Sequence, residues 1–108
     1  MLNTQSNPQQ LIAHLTQLIN QYPQEAMAYH VRGLAYYHQA AYSQAIADYE
    51  QAIRINPHFN EAYFSRANAY FDLGNYIQAI ADYTRSILLS PSDAVAYSNR
   101  GNAYMQMG

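Results

Sequence analysis

The sequence contains no cysteine and no lysine, and it has no long apolar run. The absence of cysteine excludes disulfides, thiolate zinc sites and a cysteine nucleophile. Without a long apolar run, we expect no membrane insertion. The first ten residues, MLNTQSNPQQ, hold neither a basic nor an apolar stretch, so we expect no signal peptide and predict a cytoplasmic location.

Charge is also scarce, at 11% of residues, with five arginines against seven acidic residues and a net charge of −2. A nucleic-acid-binding surface needs clustered basic residues, so we expect no nucleic-acid partner. Half of the residues are apolar, which favours a folded chain over a disordered one. A length of 108 residues is enough for one domain.

Motifs for catalysis or metal binding are missing as well. There is no HExxH, no glycine-rich phosphate loop and no GxSxG. His30 and His38 are eight residues apart, too far to hold one metal ion from a single helix, and the other two histidines lie elsewhere. We therefore predict no enzyme activity, no metal and no cofactor.

What the sequence does contain is twelve tyrosines at regular spacing. Residues 26–59 and 60–93 align without gaps and are identical at 14 of 34 positions. A period of 20–50 residues indicates a repeat protein. The same 34-residue step separates Tyr29, Tyr63 and Tyr97, then Arg32, Arg66 and Arg100, and finally Pro23, Pro57 and Pro91.

Each period reads as two helices. Small and apolar residues recur every three or four positions, which is typical of one helical face. Pro57 and Pro91 end the second helix of their periods, because proline disfavours helical geometry in the preceding residue. Gly74 marks the turn between two helices. We predict six helices, over 8–21, 25–38, 42–55, 59–72, 76–89 and 93–107.

This pattern resembles the tetratricopeptide repeat, although Tyr stands in place of the family's usual Trp. The matching positions are Tyr29, Gly33, Tyr36, Ala45, Tyr49, Ala52 and Pro57, then Tyr63, Ala67, Tyr70, Ala79, Tyr83, Ser86 and Pro91, then Tyr97, Gly101 and Tyr104. The resemblance implies an all-α fold, a right-handed α-solenoid of antiparallel helix pairs. It divides the single array 1–108 into the second helix of a partial repeat (8–25), full repeats 26–59 and 60–93, and the first helix of a truncated repeat (94–108).

Two sets of positions carry structural predictions. Gly33, Ala67 and Gly101 share one repeat position, where we expect a close helix crossing, so leucine at Gly33 or Gly101 should overpack it. The periodic arginines have two interpretations, a ladder that grips acidic peptide groups or ion pairs with the equally periodic Asp48 and Asp82. The ion pairs could form within a repeat or with the preceding repeat. We favour the ion pairs, because an arginine between helices needs a partner.

The resemblance further implies that the first helices line a concave groove for a peptide or partner segment. Its main positions are Met27, His30, Leu34, Tyr37, Glu61, Phe64, Asn68, Phe71, Ser98, Asn102 and Met105, and the outer ones include His38 and Asp72. We expect a mostly apolar lining with Phe64 exposed, although Tyr37 and Phe71 could instead pack inward. Asn99 and Asn102 match the amides of members that bind acidic C-terminal tails, but the lysine positions hold His30 and Val95. We therefore predict an apolar or mixed peptide.

The predicted function is a protein-interaction scaffold. The alternative is a self-assembling module or a fragment of a longer array, because the last predicted helix leaves Tyr104, Met105 and Met107 without a following helix to cover them. Like-with-like contact would close a dimer and head-to-tail contact could continue as a filament. The sequence analysis favours the closed homodimer.

Overall fold

The computed structural model describes residues 7–108, which form six helices and no strand. The helices are α1 (Pro8–Gln21), α2 (Ala26–His38), α3 (Tyr42–Ile55), α4 (Asn60–Asp72), α5 (Tyr76–Leu89) and α6 (Ala94–Met107). The predicted all-α class is confirmed, and each boundary lies within one residue of its prediction. Residues 1–6, included in the predicted array and in the prediction of no signal peptide, lie outside the described part.

Local chemistry explains where these helices begin and turn. Asn7 and Asp93 cap α1 and α6, since the Asn7 side chain accepts from the Gln9 amide and the Asp93 carboxylate from the first amides of α6. In the turns after α2 and α4, Ala40 and Gly74 have φ angles of 61° and 82°. Glycine adopts this left-handed conformation without the steric cost that alanine bears. The turn before α3 is therefore the more strained of the two.

The helices stack in chain order, each against the next, into an elongated array of 49 × 27 × 23 Å. Tyr49 and Tyr83 are the large side chains at the centres of two successive clusters, and both are almost completely buried. A third cluster around Tyr29 and Phe59 joins neighbouring repeats. Each layer thus completes the core of the layer before it, as in other helical repeat proteins.

The close crossing is present at Gly33. A Cβ atom placed there would lie 2.5 Å from Cε1 of Tyr49 and 3.2 Å from the carbonyl oxygen of Ala45. The matching prediction for Gly101 is wrong, because nothing lies within 4 Å of the place where its Cβ atom would stand. Among the described helices, none packs on that side of α6.

Two of the three periodic arginines form the ion pairs that the sequence analysis favoured. Arg32 donates from Nε and Nη2 to the Asp48 carboxylate at 2.8 and 2.7 Å. Arg66 makes the same two-point contact with Asp82, at 2.7 and 2.8 Å. Two parallel charge-assisted bonds fix the orientation of both groups. Arg100 donates to Oγ1 of Thr84 on the preceding repeat, at 3.1 Å.

Candidate functional site

Two adjoining cavities open on the side of the array that α2, α4 and α6 form. The polar cavity, of about 120 Å³, is lined by Tyr37, Asn68, Phe71, Asp72, Tyr83, Asn99 and Asn102. The apolar cavity, of about 180 Å³, is lined by Leu34, Tyr37, His38, Tyr49, Phe64, Ser65 and Asn68. They share Tyr37 and Asn68, and together they are called the groove below.

Hydrogen bonds between helices hold the polar cavity in shape. The Tyr37 hydroxyl on α2 donates to Oδ2 of Asp72 on α4 at 2.5 Å. Oδ1 of Asn68 accepts from the Tyr83 hydroxyl and from Nδ2 of Asn99, the latter at 3.4 Å. Side chains from four different helices are thereby connected around one cavity, so its polar groups are preorganised.

Burial extends the pH range over which the two tyrosine hydroxyls of the polar cavity stay protonated. It raises the pKa of Tyr83 to about 12. It also raises the pKa of Tyr37, with a further contribution from the hydrogen bond to Asp72. Both groups therefore remain hydrogen-bond donors at neutral pH.

The aromatic side chains of the groove serve the core and the cavities together. Tyr37 packs against Tyr42, with ring centroids 5.4 Å apart, and Phe71 packs edge-on against Tyr76 at 5.3 Å. Both rings also line the polar cavity. Tyr37 and Phe71 therefore pack inward, as the alternative stated, and face the cavity as well. The prediction that Phe64 is exposed is wrong. Its side chain is half-buried, and its ring centroid lies 5.9 Å from that of Tyr83.

Six of the eleven predicted groove residues meet in these cavities: Leu34, Tyr37, Phe64, Asn68, Phe71 and Asn102. Glu61, Ser98 and Met105 are exposed but line neither cavity. Met27 is exposed in a separate groove at the α1 end of the array. The expectation of a mostly apolar lining fits the apolar cavity only.

His30 requires a further correction, because its ring is buried and lines neither cavity. Its Nε2 lies 3.0 Å from Oγ of Ser65, and its ring centroid lies 5.0 Å from that of Phe59. Burial lowers its pKa below the ordinary value of 6.5. His30 is therefore part of the contact between repeats.

Four cavity residues lie outside the predicted groove positions: Tyr83 and Asn99 in the polar cavity, and Tyr49 and Ser65 in the apolar cavity. Tyr83 matches a core position of the repeat, and its ring is indeed buried, but its hydroxyl lines the polar cavity. Tyr83 could have been found from the sequence by comparing residues that lie 15 positions apart on the two helices of a repeat. Asn68 faces Tyr83, whereas Leu34 occupies the equivalent position before Tyr49.

Both ends of the array carry apolar surface. On α6, Tyr104, Met105 and Met107 are 55%, 77% and 52% exposed. At the opposite end, a groove of about 410 Å³ lies between α1 and α2, and its lining includes Leu15, Leu18, Tyr22, Met27, Ala28 and Val31. This second feature is called the end groove below.

The profile of the TPR repeat family matches residues 33–74 and 67–108. These ranges cover well over half of the sequence, so the chain belongs to the tetratricopeptide repeat family. The TPR fold serves as a protein–protein interaction module, which confirms the predicted class, an interaction protein. No curated protein matches the chain at a significant level. Within residues 7–108, no helix has both the length and the apolar character needed to cross a membrane.

Solved structures show the same architecture. The first TPR domain of Spaghetti (RPAP3), solved with the HSP90 peptide SRMEEVD, is 23% identical with a TM-score of 0.91, and the match covers 93% of this chain and 79% of that one. The Arabidopsis OM64 TPR domain is 24% identical with a TM-score of 0.86, over 89% and 79% of the two chains. MamA is 28% identical with a TM-score of 0.91, over 94% of this chain and 59% of that one.

Proposed function

We propose that this chain is an interaction scaffold that binds a peptide segment of a partner protein in the groove. The observation that carries the proposal is the pair of adjoining cavities, one apolar and one polar, which share Tyr37 and Asn68. Leu34 and Phe64 offer apolar contact to a side chain. Asn102, which is exposed at the polar cavity, offers an amide donor and acceptor to a peptide backbone.

The cavity side chains are already ordered before a ligand binds, which supports the same function. The hydrogen bonds of Tyr37, Asn68 and Tyr83 already join the helices that form the cavity. A site that is formed before binding spends less free energy on ordering its side chains, so more of the contact energy appears as affinity. A TPR neighbour binds a peptide as well, the HSP90 segment SRMEEVD.

The proposal includes neither a nucleic acid nor a cofactor. Arg32 and Arg66 are held by carboxylates between helices, and Arg100 is bonded to Thr84, so they do not form a basic surface. The cytoplasmic location and the absence of enzyme activity stay predictions.

Peptide selection tests the groove. A displayed library of random peptides is selected on the chain, and the affinity of the best binder is measured by fluorescence polarisation. The double variant Leu34→Ala with Asn102→Leu should weaken binding by about tenfold or more, as expected for interface anchors. The control is Ala47→Ser with Ala81→Ser, two exposed positions on α3 and α5 that line neither cavity.

The melting temperature of each variant verifies that the fold is intact. If the groove variant binds as tightly as the parent, or if the control loses as much affinity, the groove is not the binding surface. A library that yields no binder would also contradict the proposal.

We propose self-association through the terminal helices as a second candidate function. The observation that favours it is the complementary character of the two ends. α6 is a first helix of the repeat with no second helix against it in the described structure, while α1 is a second helix. Packing of α6 from one copy against α1 and the end groove of another would reproduce the α4–α5 pair. The two ends differ, so this geometry favours head-to-tail contact, which can extend into a filament.

Sedimentation velocity tests this candidate with single-end variants. Met27→Glu blocks the end groove, and Tyr104→Glu with Met105→Glu blocks α6. For head-to-tail contact, each variant alone should be monomeric and an equal mixture should form a one-to-one dimer. A closed α6–α6 dimer would instead persist in Met27→Glu alone. A parent chain that is monomeric at about 100 μM, where contacts weaker than about −5.5 kcal/mol go undetected, would contradict both geometries.

A further inference from the structure

The polar cavity has one formally charged lining residue, Asp72. Its carboxylate is exposed, and Oδ2 accepts a hydrogen bond from Tyr37. Within residues 7–108, Oδ1 has no hydrogen-bond donor, so that oxygen can accept from a ligand. A single carboxylate at an open cavity gives the site a negative potential.

In the described part of the chain, no basic side chain forms an ion pair with this carboxylate. The sequence has no lysine, and its five arginines all lie outside the groove lining. Arg32, Arg66 and Arg100 are engaged between helices, while Arg54 and Arg85 are exposed on α3 and α5. The one titratable base among the lining residues is His38, in the adjoining apolar cavity. Within residues 7–108, the chain therefore supplies no permanent positive charge to the polar cavity.

The walls of the cavity add a second feature that suits a cation. Phe71 and Tyr37 present aromatic surface beside the carboxylate. Guanidinium and ammonium groups are attracted to aromatic faces as well as to carboxylates. A guanidinium group is planar, is always charged and can bond two acceptors at once, so it fits this combination better than a compact ammonium group does.

We propose that the polar cavity binds a positively charged side chain of the partner peptide, preferably arginine, with Asp72 as its carboxylate partner. The inference rests on the proposed groove function and specifies its ligand class. It also sets this chain apart from its structural neighbour, whose peptide SRMEEVD carries three acidic residues and a single basic one. An acidic segment in this cavity would meet a like charge with no cation to compensate it.

The test uses the best peptide from the library selection described above. Selected peptides should share an arginine or lysine at one fixed position. Replacing that residue by citrulline, a neutral isostere of arginine, should weaken binding to the parent chain by about 10- to 100-fold, since hydrogen bonds between charged groups are the strong ones. With Asp72→Asn, the same replacement should change affinity by less than about threefold, because the carboxylate partner is gone.

Glu61→Gln is the matched control. Glu61 lies on the same helix, is exposed and carries the same charge, but it lines neither cavity. This variant should keep the full effect of citrulline. The acidic peptide SRMEEVD should bind the parent chain at least tenfold more weakly than the selected peptide.

Each alternative result has a distinct meaning. Peptides that bind in the groove without a basic residue, or a citrulline effect that is unchanged in Asp72→Asn, would overturn the inference while leaving the groove function intact. Tight binding of SRMEEVD would overturn it in the same way. If selected peptides are insensitive to Leu34→Ala with Asn102→Leu, or if no peptide binds, the proposed function fails and the inference fails with it.

Discussion

Gly33 and Gly101 occupy the same repeat position, but substitution by alanine should have opposite effects on stability. Each is the eighth residue of its helix, α2 and α6 respectively. Replacing a glycine inside a helix by alanine stabilises the helix by about 0.5–1 kcal/mol. This gain is common to both variants. Any difference between them therefore reports the surroundings of the new methyl group.

At Gly33 the new methyl group would clash with the Tyr49 ring. Its Cβ would lie 2.5 and 2.8 Å from two ring carbons of Tyr49, a side chain with 0% exposure. That ring cannot retreat easily, because it packs against Ala45 and Ala69 and lies 5.7 Å from the His30 ring. Overpacking of this kind costs about 1–3 kcal/mol. Gly33→Ala should therefore be less stable than Gly101→Ala by about 1–3 kcal/mol.

Thermal unfolding followed by circular dichroism at 222 nm measures this difference. For a domain of this size, 1 kcal/mol corresponds to about 4–8 °C in Tm. Gly101→Ala should melt at or above the parent temperature, since nothing lies within 4 Å of its new methyl group. Equal melting temperatures for the two variants, or a more stable Gly33→Ala, would refute the crossing geometry.

Three further predictions concern buried polar groups. Tyr83→Phe removes a hydrogen bond and should lower the free energy of unfolding by about 0.5–1.5 kcal/mol, whereas Tyr49→Phe should be neutral or stabilising, because the Tyr49 hydroxyl has no partner in the described structure. Urea titrations that rank the two in the reverse order would contradict this. Asp82→Asn leaves the partly buried guanidinium of Arg66 without its carboxylate, and it should lower the free energy of unfolding by about 1–2 kcal/mol in the same assay. An unchanged urea midpoint would count against the ion pair. The lowered pKa of buried His30 means that the unfolded chain takes up a proton first as pH falls, so stability should decline from about pH 6.5 downward. His30→Gln should decline less steeply over pH 7–5, and parallel curves would show that another group causes the loss.

The helices and their order could be predicted from the sequence, because they depend on local patterns that repeat. Apolar residues three and four positions apart, together with Pro57, Pro91 and Gly74, located the six helices to within one residue. The ion pairs of the periodic arginines followed from the same 34-residue step. The step alone fits pairing within a repeat as well as pairing with the preceding repeat, and the structure shows pairing within the repeat.

The site was less predictable, because exposure depends on side chains of neighbouring helices. His30, Phe64 and Ser98 share one repeat position, yet they are buried, half-buried and exposed in turn. His30 is covered by Phe59 and by the following repeat, while Ser98 lies on α6, which has no following helix in the structure. A repeat pattern assigns all three the same environment and so cannot distinguish them.

The sequence by itself determined the family and the six helices, and it offered eleven candidate groove residues, of which six line the cavities. Only the tertiary structure decided which of those residues form a cavity and what charge that cavity has. The Tyr83 hydroxyl on α5 donates a hydrogen bond to Asn68 on α4, and Asp72 accepts one from the Tyr37 hydroxyl of the neighbouring repeat. Helix periodicity is set by the backbone within a few residues, whereas a cavity is the space that separate helices leave unfilled when they pack. That space depends on the side chains of every helix around it.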